Sequence, residues 1–150
     1  MKTRHTPARA GQSGVMLLEA LIAILIFSLG VLALVGLQSV SIKQSSESKY
    51  RADAVMLANE LIADMWVGDR TFANISAQYT TGGPAFNAWA VRVQQTLPGV
   101  AANPPDVPLP VAVGNPADPS TLITVRVNWK APNEPVADPA HFITVVAQIK

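Results

Sequence analysis

The spacing of apolar positions changes twice along this chain. From residue 15 to residue 37 they run almost without a break, dominated by Leu, Ile and Ala, with no proline. Residues 20–37 carry no charge and one hydroxyl, Ser28. As a helix those 18 residues span roughly 27 Å at about 1.5 Å each, against a bilayer core of about 30 Å. A buried soluble helix is the competing reading, but an apolar run this long and uniform is rare in a core. Residues 15–37 are therefore expected to cross a membrane. Residues 38–48 are polar and rich in serine, a weak helix former, which leaves a loop open there. A helical stripe then begins after Tyr50: Ala54, Leu57, Ala58, Leu61 and Met65, widened by Val55, Ile62 and Trp66. With Gly68 as the stop, the pattern predicts one helix from about Val15 to Trp66.

The remainder reads as strand and turn. Residues 67–87 hold Gly68, Asn74, Gly82, Gly83 and Pro84 and suggest an irregular connection. Residues 88–97 alternate, with Trp89, Val91 and Val93 on one face and Arg92 and Gln94 on the other, which predicts a strand. Residues 97–120 contain seven prolines and predict an extended surface loop, either a binding segment or a spacer. Residues 121–129 turn Ile123, Val125, Val127 and Trp129 inward. Residues 141–149 do the same with Ile143, Val145, Ala147 and Ile149. The expected fold is α+β: one long N-terminal helix, transmembrane in residues 15–37 and amphipathic in residues 38–67. Its second half packs on a small antiparallel β-sheet head, residues 68–150.

Charge narrows the function. The formal net charge is +1, but Lys2, Arg4 and Arg9 lie in residues 1–14, and the rest has 8 basic against 10 acidic residues. Nucleic acid is not an expected partner, because phosphate binding needs a basic patch. With no cysteine, neither a disulfide nor a thiolate metal site is possible. His141 is the only histidine beyond the leader, and no nucleophile elbow or phosphate loop appears. Asp53, Glu60 and Asp64 read as a solvated helix face rather than a metal site. Neither an enzyme nor a bound cofactor is expected. Asn74-Ile75-Ser76 is formally a glycosylation sequon and is taken as coincidence.

One residue in the apolar run is out of place. Glu19 follows a basic leader that ends at Gly14, and a carboxylate inside a membrane costs roughly 2.5–3.5 kcal/mol. The dipole at a helix start offsets about 0.3–1 kcal/mol of that. A cleavable secretory signal would have a shorter core without a charge, although Ser39-Val40-Ser41 imitates a cleavage site. Snorkelling of Glu19 toward the interface is the alternative to a functional role.

Gly14 followed by Val15-Met16-Leu17-Leu18-Glu19-Ala20-Leu21-Ile22-Ala23 resembles the class III signal of type IV pilins and type II secretion pseudopilins. Residues 52–66 make the chain most similar to PilV-type minor pilins, the type IV pilus modification proteins, and less closely to I-type pseudopilins. The resemblance implies cleavage after Gly14 by prepilin peptidase and N-methylation of the new N-terminus, Val15. It also implies that Glu19 pairs with a neighbouring subunit's terminal amine during assembly. Val15 departs from the usual phenylalanine or methionine. The implied partners are the peptidase, the major pilin, other minor pilins and the inner membrane. The head would lie in the periplasm before assembly and at the cell surface afterwards, with roles in adhesion and twitching. Family heads have four strands, so a further strand is expected in residues 107–113 or 71–80. Major pilins usually carry a helix proline that this chain lacks. The alternatives are a type II secretion pseudopilin and, outside the family, a bitopic periplasmic anchor or adhesin with no filament role.

Overall fold

A computed structural model describes residues 13–115 and 118–150. Most of the expected leader, residues 1–12, and positions 116–117 lie outside the described residues. The chain divides into two compact units, Met1–Gln44 and Ser45–Lys150. The described architecture is α+β, a long apolar N-terminal helix and a three-stranded antiparallel sheet.

Helix α1 (Ser13–Val67) has 55 residues and contributes to both units. In the first unit it stays helical through Gly30 and Gly36, each costing about 1 kcal/mol relative to alanine. Ser28 Oγ donates to Leu25 O at 2.8 Å, which satisfies the one hydroxyl of the apolar run. The serine-rich stretch is helical too. Breaking it would forfeit helix on both sides, so strong flanks carry weak formers through.

In the second unit α1 buries Ala54, Leu57, Ala58, Leu61, Ile62 and Met65, while Val55 and Trp66 stay partly exposed. These positions recur at 3–4 residue intervals, the spacing that gives a helix one buried face. The helix ends where expected. Gly68 N and the Tyr79 hydroxyl both donate to Asp64 O, at 3.1 and 3.3 Å. Lys49 and Asp53, four residues apart on α1, form an ion pair at 3.8 Å. Glu47 lies 3.8 Å from His141 Nδ1.

Residues 67–87 are more regular than expected. Helix α2 (Phe72–Gln78) starts at Thr71, whose Oγ1 accepts the Asn74 N–H at 3.3 Å, and it buries Ile75. The expected strand over residues 88–97 is instead helix α3 (Pro84–Thr96). Pro84 occupies its first turn, where a missing N–H costs nothing. Phe86, Trp89 and Val93 are buried at 3- and 4-residue spacing, and Val91 is 53% exposed. The apparent alternation of Trp89, Val91 and Val93 was a fragment of a helical period. Gly83 ahead of α3 passes so close to α2 that a Cβ would lie 2.4 Å from Gln78 O. Trp89 Nε1 donates to Leu57 O at 2.8 Å, which ties α3 to α1 inside the core.

The sheet has the order β1 (Val111–Asn115), β2 (Asp118–Trp129), β3 (His141–Ile149). Cross-strand pairs Ile123↔Ala147, Val125↔Val145 and Val127↔Ile143 put the expected residues on the inner face. That face closes on α1 and α3 in one apolar core. β1 overlaps the expected further strand at 107–113; residues 71–80 hold α2 instead. Among the described residues there is no fourth strand.

The proline-rich segment is anchored rather than a free surface loop. Leu97, Val100 and Val107 are buried in the core. Asp106 exchanges backbone hydrogen bonds of 2.9 and 2.8 Å with Arg126 of β2. Val107 N donates to Thr81 Oγ1 at 2.8 Å, and its carbonyl accepts from Thr81 N at 2.9 Å. Proline removes the donors for a continuous ladder, and side-chain burial holds the segment instead.

Candidate functional site

Gly14, Val15 and Glu19 fall in the first turns of α1. Val15 and Glu19 are four residues apart, so they share a face about 6 Å apart along the axis. Val15 is 66% exposed, and a Cβ on Gly14 would meet nothing within 4 Å. Among the described residues Glu19 has no ion-pair partner. The next carboxylate in the sequence is Glu47. If the chain were cut after Gly14, the four leading N–H groups and the new amine would make a positive helix end. Glu19 is the only carboxylate of the apolar segment available to answer such an end on an adjacent helix.

The surface around these residues is apolar on every side. Every residue from position 14 to position 44 is exposed. Sixteen large apolar side chains between Val15 and Leu37 are 44–72% exposed. Burial of each is worth about 1.5–3 kcal/mol, so water leaves tens of kcal/mol unrealised. Lipid or other apolar helices would realise it. With a peak mean hydropathy of 2.8, α1 is long and apolar enough to cross a membrane.

The head offers different chemistry. Glu60 and Asp64, expected on a solvated face, both meet Arg92 of α3. Arg92 Nε lies 2.8 Å from Glu60 Oε1, and Nη2 lies 3.8 Å from Asp64 Oδ2. Sequence reasoning missed this pairing because α3 was read as a strand. The Tyr79 phenol is held above its usual range, first by burial and then by the Asp64 carboxylate. His141 stacks on Trp129 at 5.8 Å and bonds through Nε2 to Glu134 Oε1 at 2.8 Å. His141 thereby ties the 130–140 loop to β3, and no hydroxyl bonds to it among the described residues. Lys130 Nζ closes the same loop by donating to Val136 O and Asp138 O at 2.9 and 2.7 Å. Among the described residues no three His, Cys, Asp or Glu side chains are placed to hold a metal.

No family model, curated protein or solved structure matches this chain.

Proposed function

We propose that this chain is a minor pilin with a pilin-like fold. In this reading prepilin peptidase cuts after Gly14, and Val15 becomes the N-methylated terminus. The protein waits in the inner membrane with its head in the periplasm. It then joins a type IV pilus with the major pilin and other minor pilins, and contributes to the start of assembly. Roles in adhesion and twitching motility follow from the family resemblance. One observation carries the reading: an apolar, fully exposed helical segment whose sole charged residue is Glu19. A plain anchor gains nothing from a carboxylate there, whereas a filament subunit uses it to set register against a neighbour's amine. The α+β layout, with a small sheet on the amphipathic half of the helix, supports the same conclusion.

The test is the mature N-terminus. Mass spectrometry of the chain recovered from membranes of a host with prepilin peptidase should find methylated Val15. A terminus at Met1, or one near Ile42, would sink the proposal.

A further inference from the structure

On the sheet face turned away from the core, Arg126 and Asn128 stand on alternate positions of β2 and so share that face. Asn128 pairs across the ladder with Phe142 of β3, and Arg126 is bridged on the other side of β2 to Asp106. Opposed residues of a ladder put their side chains on one face, which gathers these four together. The Arg126 guanidinium lies over the Phe142 ring, 4.0 Å from its centroid. Its Nε donates to Asn128 Oδ1 at 3.1 Å, and Asn128 Nδ2 donates in turn to Pro104 O at 2.7 Å. Ring and amide together fix the plane of the guanidinium.

Held there, the guanidinium does not close on its cross-strand carboxylate. Arg126 and Asp106 exchange backbone hydrogen bonds, yet their side chains form no ion pair among the described residues. An arginine has five N–H donors. Nε is used by Asn128, and the Nη1 and Nη2 donors have no acceptor among the described residues. Asp106 Oδ1 accepts the Thr81 hydroxyl at 2.8 Å, and Asn103 Nδ2 donates to Gly99 O at 3.1 Å. Among the described residues that leaves Asp106 Oδ2 and Asn103 Oδ1 as open acceptors. These groups line a cleft of about 520 Å³, with Pro139 and Ala140 as an apolar wall. Its volume falls within the range of about 300–1,000 Å³ usual for small-molecule sites.

We infer that this cleft binds an acidic saccharide, with the carboxylate of a hexuronate residue on the Nη1 and Nη2 donors of Arg126. A planar guanidinium held at two points is preorganised to take both oxygens of a carboxylate. Sugar hydroxyls donate to Asp106 Oδ2 and Asn103 Oδ1, and ring C–H groups rest on Pro139 and Ala140. The mixture of signs decides the occupant. A peptide segment with several carboxylates would neutralise Arg126 but set a second anion against Asp106, and like charges repel. A hexuronate brings one carboxylate and several hydroxyl donors, which matches one cation beside two acceptors. The inference concerns the head alone and does not depend on the filament reading.

The experiment uses the full chain in zwitterionic lipid nanodiscs and saturation-transfer NMR, with empty nanodiscs subtracted. The probes are methyl β-D-glucuronide, methyl β-D-glucoside and an acetylated, amidated diglutamate peptide. The glucuronide should bind at least tenfold more tightly than the glucoside or the peptide. Arg126→Gln, at an exposed position, should bring the glucuronide down to the level of the glucoside. Asn103→Ala should weaken both sugars several-fold and keep the preference between them. Equal binding of the two sugars, binding of neither, or an unchanged preference in Arg126→Gln would overturn the inference. So would tighter binding of the peptide, which would make an acidic protein segment the occupant.

Discussion

Between Val15 and Leu37 the apolar side chains of α1 occupy every face and stay exposed. Between Ala54 and Met65 they form one stripe and are buried. A helix apolar all round needs an apolar surrounding on all sides, while a striped helix needs a single packing partner. The second stretch has found its partner within the chain, in the sheet and α3. The first has none among the described residues. The polar residues 38–48 mark the change without breaking the helix.

The sharpest way to break this comparison is to truncate one large side chain in each region. Trp89→Ala removes a fully buried indole and its bond to Leu57. It should cost the head about 3–5 kcal/mol, read as a lowered midpoint in a denaturant melt of the full chain in detergent. Leu25→Ala, at a 60% exposed position, should move that midpoint by less than about 0.5 kcal/mol. Comparable losses at both sites would mean that the head depends on the apolar segment.

A smaller effect is expected at Gly83, where a Cβ would lie 2.4 Å from Gln78 O and 2.8 Å from Ala77 O. Gly83→Ala must push α2 and α3 apart, at a cost of about 1–3 kcal/mol, checked in the same melt. The neighbouring Gly82→Ala is not a control, because Gly82 has φ +94°, a conformation that alanine adopts only with strain.

The smallest effect concerns pH. The native fold holds the Tyr79 proton more tightly than the unfolded chain, whose phenol titrates near about 10. Stability is therefore whole below that pH and falls as pH rises through the native value. Tyr79→Phe should lose less stability than wild type between about pH 9 and 11. Identical alkaline slopes would show that burial and Asp64 do not act on this phenol.

Much of the fold was legible because its signals were local and periodic. The stripe from Ala54 to Met65 and the inner faces of β2 and β3 follow from periods of 3.6 and 2 alone. α3 was not, because Trp89, Val91 and Val93 satisfy a period of 2 over five residues. The helical spacing appears only when Phe86 and Leu97 are included, and Gly83-Pro84 was the start signal passed over. Thr71 as a helix cap was overlooked in the same way. β1 was hidden by the prolines around it, since a strand between Pro110 and Pro116 looks like loop until its partner is known. The candidate residues Gly14, Val15 and Glu19 stood out because a charge in an apolar run needs no tertiary context to be noticed.

The central claim is that the exposed half of α1 serves other subunits, with Glu19 kept for one of them. It is tested most directly by measuring how much Glu19→Val chain enters sheared pilus fractions relative to wild type, in cells that process both equally. The account predicts normal processing at Gly14, normal membrane levels and a filament content reduced at least tenfold. Glu19→Val chain present in filaments at the wild-type level would contradict it.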